Sequence, residues 1–373
     1  MLASRRLAAV LTTILVVAAA CSGTSTSSSA PSASPAEVSA PTADATPVAT
    51  PVPSATTAPT PIAVLDGEPW IVYSWGPGTG LSLMRPDGSD VHQIAPDLPG
   101  VAEHPDWSPD GKLIAINPMV KEGVFEIWTV KADGTDPQKL LGCETAPCVE
   151  VGGPAWSPDG RQMVIGRVSN ATGNYQDDRL TLEVLDLATR KTRVIAATPP
   201  VGAEVVQYSD PRWSPDGTQA VFIVNRYGTP PTDENIVGSS IAIVKTDGSE
   251  VNAPRILTEP GLFGTYPDWS PDGKTIVFST HGLGSFQTTT KASNLYTIRP
   301  DGTGLAQVTH FGDNDTRAVQ PTWTPDGKQI IFTHITPDGG WGVRHTAFID
   351  SDGANLTVLD GPFATHPRLR PTP

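Results

Sequence analysis

The stretch Asp106-Trp107-Ser108-Pro109-Asp110-Gly111 decides the fold, because it returns. It recurs as Ala155-Trp156-Ser157-Pro158-Asp159-Gly160, again at 212–217 and 268–273, and at 322–327 with Thr324 in the serine slot. Successive tryptophans stand 49, 57, 56 and 54 residues apart. A degenerate sixth copy, His366-Pro367-Arg368-Leu369-Arg370-Pro371, follows 46 residues later with leucine in the tryptophan slot. Self-similarity at such a period is the signature of a repeat architecture.

Each copy reads as a tight turn between two strands. Proline pre-sets φ at the first corner, aspartate tolerates the second, and Gly111 supplies the positive φ that lets the chain re-enter a strand. The strand that follows is apolar: Leu113-Ile114-Ala115-Ile116, Met163-Val164-Ile165, Ala220-Val221-Phe222-Ile223, Ile276-Val277-Phe278 and Ile330-Ile331-Phe332. The strand before it ends on tryptophan, a plate that one sheet can press against the next. A second set of turns carries Asp-Gly, at Asp87-Gly88, Asp133-Gly134, Asp247-Gly248, Asp301-Gly302 and Asp352-Gly353, whereas the third unit uses Leu187-Ala188-Thr189-Arg190. The repeated acids Asp110, Asp159, Asp216, Asp272 and Asp326 are therefore turn residues rather than catalytic acids.

Four short strands, A to D, fill each unit without a helical period between them, which describes a propeller blade. The domain opens on strands B, C and D at 70–73, 81–85 and 92–94 and ends on an unpartnered A strand at 365–370. A ring closes if that last strand becomes the innermost strand of the first blade, which removes the exposed edges of an open array. The expected fold is all-β, a six-bladed propeller of four-stranded antiparallel blades over 62–373.

The repeated Pro-x-Trp-Ser-Pro-Asp-Gly, the apolar strand and the Asp-Gly-[Ser/Thr] turn resemble the TolB-type β-propeller repeat across essentially all of 62–373. Similar repeats occur in periplasmic TolB, in the propellers of prolyl oligopeptidase-like proteases and in oligogalacturonate lyase. The resemblance therefore implies a fold more firmly than an activity. TolB itself is soluble and carries an extra α/β domain, which this chain replaces with an anchor and a tether.

Residues 1–21 read as a lipoprotein signal. Arg5 and Arg6 form a positive start, Leu7 to Ala20 an apolar run too short to span a bilayer, and Ala18-Ala19-Ala20-Cys21 resembles a lipobox with Cys21 lipidated. Residues 22–61, built of Ser, Thr, Ala and Pro, have nothing to bury and read as a disordered tether that could reach on the order of 120 Å. The expected location is the outer face of the bacterial membrane, reached by export, with the lipid as the only membrane contact. Cys143 and Cys148 remain, and a close pair in an exported chain reads as a loop disulfide.

The chain holds 35 Gly and 38 Pro and carries a net charge of −14. An acidic chain without a basic stripe argues against nucleic acid as a partner. No Gly-x-Ser-x-Gly elbow, His-Glu-x-x-His or P-loop spacing occurs. One constellation remains, the residue before the strand-A proline in each unit: His104, Gly153, Asp210, Tyr266, Gln320 and His366. In a closed ring these positions converge at the mouth of the central channel. The polar members could bind a ligand, sugar hydroxyls or a divalent cation, or could simply be hydrated channel residues. Oligogalacturonate lyase, which the repeat resembles, uses histidines with a metal in such a region. The expected role is a monomeric, non-enzymatic binding or scaffold module without a required cofactor, for protein or cell-wall glycan, working through the long B–C and D–A connections. The alternative is a metal-assisted polysaccharide lyase or hydrolase at the channel mouth.

Overall fold

The computed structural model describes residues 67–74, 80–121, 123–170, 178–199, 205–228, 236–280, 292–312, 316–337, 342–361 and 363–372. The signal segment, Cys21 and the tether lie outside the described residues, as do the central parts of several long connections.

Six four-stranded antiparallel sheets form the described chain. The first blade takes its innermost strand, Thr365–Leu369, from the end of the chain and continues through Ile71–Ser74, Leu81–Met84 and His92–Ile94. The register pairs Ile71 with Leu369 and Val72 with Arg368, so the ring closes as the strand count requires. Innermost strands of the other five blades are Asp106–Trp107, Cys148–Trp156, Val205–Trp213, Gly264–Trp269 and Arg317–Trp323. Blade two differs from the expected layout. Phe125 belongs to a small hairpin, Met119–Lys121 with Val124–Phe125, and the third strand is Ile127–Lys131. One short 3-10 helix, Pro260–Leu262, precedes the fifth blade.

Second strands read as continuous apolar runs because each blade is covered on both faces by its neighbours. Ile114, Ala115, Ile116, Met163, Val164, Ile165, Ile276, Val277, Phe278, Ile330, Ile331 and Phe332 are all fully buried. Each blade-to-blade contact has its own apolar cluster. Trp213 packs with Ala155, Val164 and Leu182 of blade three, and Trp269 with Val221 and Ile243 of blade four. Leu369, in the tryptophan slot of the degenerate copy, packs with Ile331 and Phe348 of blade six.

The turns behave as their residues demand. Ser108 donates its hydroxyl to Asp110 at 2.7 Å, the same carboxylate accepts the Lys112 N–H at 3.1 Å, and the Ser108 oxygen accepts the Leu113 N–H at 2.9 Å. The pattern repeats at Ser157, Ser214, Ser270 and Thr324. These hydrogen bonds hold the turn carboxylates below the usual range, Asp272 at about 2, where the donors come from Ser270 and Lys274. The acids are spent on turn geometry. Cys143 and Cys148 are joined by a disulfide with a Cα–Cα distance of 5.2 Å.

Candidate functional site

The residues before the six strand-A prolines share one backbone conformation. Their φ angles are 49° at His104, 59° at Gly153, 50° at Asp210, 50° at Tyr266, 57° at Gln320 and 52° at His366. In five blades the ladder to the second strand slips at this point, between Gly152 and Ala155, Ser209 and Arg212, Thr265 and Asp268, Val319 and Thr322, and beside Ser74 in the first blade. This is a β-bulge, and a bulge re-aims one side chain. Left-handed φ in a non-glycine residue costs roughly 1–2 kcal/mol. Because all six blades share it, the strain belongs to the architecture. What distinguishes a site is the side chains that the bulge turns toward the axis.

Five of them meet. His104, Asp210, Tyr266, Gln320 and His366 line one pocket, open on one side, together with Arg212, Thr322 and Arg368. His104 Nδ1 lies 3.5 Å from Asp210 Oδ1. The rings of His104 and His366 lie 4.4 Å apart, and Tyr266 meets His366 edge-on at 5.7 Å. Gln320 Nε2 lies 2.9 Å from His366 Nε2. Gly153 sits at the equivalent place in blade three but contributes no side chain to the wall. In the longer inner strands these residues lie within the strand rather than at its start: Asp210 is inside Val205–Trp213 and Gln320 inside Arg317–Trp323.

A second ring, two residues further along each inner strand, escaped the sequence reading. It holds Asp106, Arg212, Asp268 and Arg368. Arg212 approaches Asp106 at 3.9 Å, and Arg368 approaches Asp106 at 4.0 Å and Asp268 at 3.5 Å. The pairs Arg212–Asp106 and Arg368–Asp268 join blades that are not neighbours, so side chains reach past one intervening blade at this level. Both acids also serve structurally: Asp106 accepts the Trp156 N–H at 2.9 Å through its other oxygen, and Asp268 accepts the Trp323 N–H at 3.0 Å through the same Oδ2 that faces Arg368. A signal was present: the residue between the strand-A proline and the tryptophan is charged in four of six copies. Its meaning depends on which charges face each other across the ring.

Burial governs the titrating groups. His366 is held well below its ordinary value by burial, then by His104 and the two arginines, and His104 is lowered chiefly by burial against the pull of Asp210. Burial and then Asp210 push the Tyr266 phenol up. Asp268 is raised by burial, and Arg368 falls to about 10 through burial and the neighbouring Arg212. Beside the ring, Glu103 is pushed up to about 8 by burial and by Glu150.

The ring is a poor cation site. Among the described residues no three His, Cys, Asp or Glu side chains come together as metal ligands. His366 also has no lone pair to spare, since its Nε2 faces the Gln320 amide. The chemistry available is hydrogen bonding from a pre-set, partly buried frame.

No family model matches the chain. It is 30% identical over 137 residues to the uncharacterized peptidase YuxL of Bacillus subtilis, a match over 36% of this chain and 18% of that protein. The chain thus spans less than a fifth of that relative's length. Among solved structures, TolB from Acinetobacter baumannii superimposes with a TM-score of 0.57 at 18% identity over 81% of this chain and 66% of that one. Putative TolB from Agrobacterium tumefaciens gives 0.54 at 19% identity over 82% and 99%. A chain of the nidogen–laminin complex gives 0.53 at 12% identity over 81% and 96%. At these identities the likeness is one of fold, and the fold is the six-bladed propeller of the TolB type.

Proposed function

We propose that the chain is an exported binding module. Lipid on Cys21 anchors it to the outer face of the bacterial membrane, and residues 22–61 hold the propeller away from the surface. The propeller, as a monomer, takes a protein partner at the channel pocket without catalysing a reaction.

The observation that carries this reading is the pair of ion contacts, Arg212–Asp106 and Arg368–Asp268, each of which spans one intervening blade on the channel side. Each inner strand runs from the D–A connection toward the A–B turn. The ring of His104, Asp210, Tyr266, Gln320 and His366 therefore lies on the D–A side of those ion pairs. A ligand would enter from the face of the long connections and meet a floor of paired charges. Rigid scaffolds commonly carry binding groups at such loop-bearing ends. Propellers of this shape include one solved in the nidogen–laminin complex, which makes a protein partner the first class to test.

The test is crosslinking in cells followed by identification of what is captured. One variant replaces His104, Asp210 and His366 with alanine. The other carries substitutions at Ser89, Thr135 and Ser249 on the opposite face. Loss of capture in the first variant alone supports the reading, and loss in the second alone reverses the working face. A captured glycan instead of a protein would change the partner class. Labelling with a palmitate analogue, abolished by Cys21→Ser, tests the anchor.

A further inference from the structure

Resting on the reading of the channel pocket as a binding site, we infer that the group it is built to take is a neutral carboxamide. That group could be the side chain of a partner's asparagine or glutamine, or a free small amide.

The inference starts from a proton whose position is fixed. Gln320 Oε1 accepts the His366 backbone N–H at 3.0 Å and the Thr333 hydroxyl at 2.9 Å. A backbone N–H can only donate, so the amide orientation is set and Gln320 Nε2 is the NH₂ end. That end donates to His366 Nε2 at 2.9 Å, which must therefore be the bare nitrogen. Neutral His366 consequently carries its proton on Nδ1. The same atom is buried and finds no partner among the described residues. Arg368 Nε, two residues further along the same strand, also makes no hydrogen bond, facing Asp106 Oδ1 at 4.0 Å, beyond hydrogen-bond reach. Both residues line the pocket. Two donors without hydrogen bonds call for an acceptor oxygen from outside.

Asp210, the one acid that lines the pocket, narrows the oxygen. A carboxylate would set a second negative charge against it and leave its acceptor oxygens unmet. A cation would leave both orphan donors unmet. Asp210 stands across from the donors as an acceptor, engaged through Oδ1 with His104 at 3.5 Å. A carboxamide accepts at its C=O and donates at its NH₂, so it meets both walls without adding charge.

The experiment uses the full chain with ¹⁵N-labelled histidine and follows His366 by NMR. Acetamide, sodium acetate and methyl glucoside are titrated in parallel, as are two blocked tripeptides that differ only in a central Asn or Asp. Acetamide and the Asn peptide are expected to shift the His366 Nδ1–H. The Asn peptide should bind about tenfold more tightly than the Asp peptide, the scale of one lost hydrogen bond. Asp210→Asn should bring that ratio to about one or below. A peptide that outbinds acetamide points to a partner side chain, and equal binding points to a free amide. Preference for acetate, a response to the glucoside alone, no response to any probe, or an unchanged ratio in Asp210→Asn would each overturn the inference. Gln320→Glu gives a second check: a carboxylate at this position should drive His366 to hold both ring protons and shift the preference toward the Asp peptide, and an unaltered ¹⁵N pattern counts against the assignment. If no amide binds while the alanine variant of the ring still abolishes crosslinking, the binding site stands and only its ligand class falls.

Discussion

Arg370 donates from Nε to the carbonyl of Gly111 at 2.8 Å, tying the last strand of the chain to the first full A–B turn. It stands in the serine slot of the degenerate repeat, is buried, and lies with its guanidinium 5.5 Å from the Trp107 ring. Its own N–H donates to the Trp70 carbonyl at 2.7 Å. Arg370→Ala should therefore cost about 2–4 kcal/mol, since a buried charged donor leaves its acceptors unpaired. Deletion of 361–373 should be worse, exposing the edges of blade one and causing aggregation. Chemical denaturation and light scattering measure the two effects. Unchanged melting and monodispersity after the deletion would mean that the ring is not closed by this strand.

Gly111 and Gly217 separate turn strain from closure. Both have positive φ, 66° and 73°. A Cβ at Gly217 would meet only Pro158 Cδ at 3.9 Å, whereas at Gly111 it would lie 2.9 Å from Arg370 Nε and from the Pro371 carbonyl. Gly217→Ala should cost about 1–2 kcal/mol from left-handed φ alone. Gly111→Ala should cost clearly more, because backbone and a buried arginine must also move. Equal costs in denaturant titrations would show that the closure contact is slack.

Trp213 is buried between blades three and four and donates its indole N–H to the Ala155 carbonyl at 3.1 Å. Trp107 makes the equivalent bond to Arg368, also at 3.1 Å. Trp213→Ala should cost about 3–5 kcal/mol through lost burial and the cavity left behind. A reversible melt that moves by less than about 1 kcal/mol would contradict the packing.

Glu103 makes stability depend on pH. Its carboxyl rises from about 4.5 to about 8 in the folded chain, first through burial and then through Glu150. Between those values the folded state binds more protons than the unfolded state, so this contribution is complete below about 4.5 and is lost as pH rises through 8. Glu150, raised to about 7, acts with the same sign. His104 and His366 act oppositely: their lowered values mean that stability is lost as pH falls below about 6.5, the ordinary histidine value. The difference between wild type and Glu103→Gln isolates one term. The variant should gain stability relative to wild type on going from pH 5.5 to 8.5, and a constant difference across that range would count against it.

The ring position was legible in sequence for a reason specific to repeats. Once the proline before each tryptophan is aligned, the preceding residue occupies the same place in every blade, and symmetry alone brings His104, Asp210, Tyr266, Gln320 and His366 to the axis. The turn role of Asp110 and its equivalents was legible because the Ser-Pro-Asp-Gly hydrogen bonds close within five residues. The small hairpin ending at Phe125 was not, since Met119 and Val124 form no pattern distinct from an ordinary strand.

Sequence by itself determined the all-β class, the blade count, closure by the last strand and the seating of tryptophan between blades. Each of these follows from local turn chemistry repeated at a fixed spacing. Only the tertiary structure decided what fills the channel. Arg368 reaches Asp106 and Asp268, residues 262 and 100 positions away in the chain, and the proton of His366 is placed by Gln320 from the neighbouring blade. No local preference encodes such pairings, because their energies depend on which charges the closed ring sets face to face and on how much water burial removes from between them.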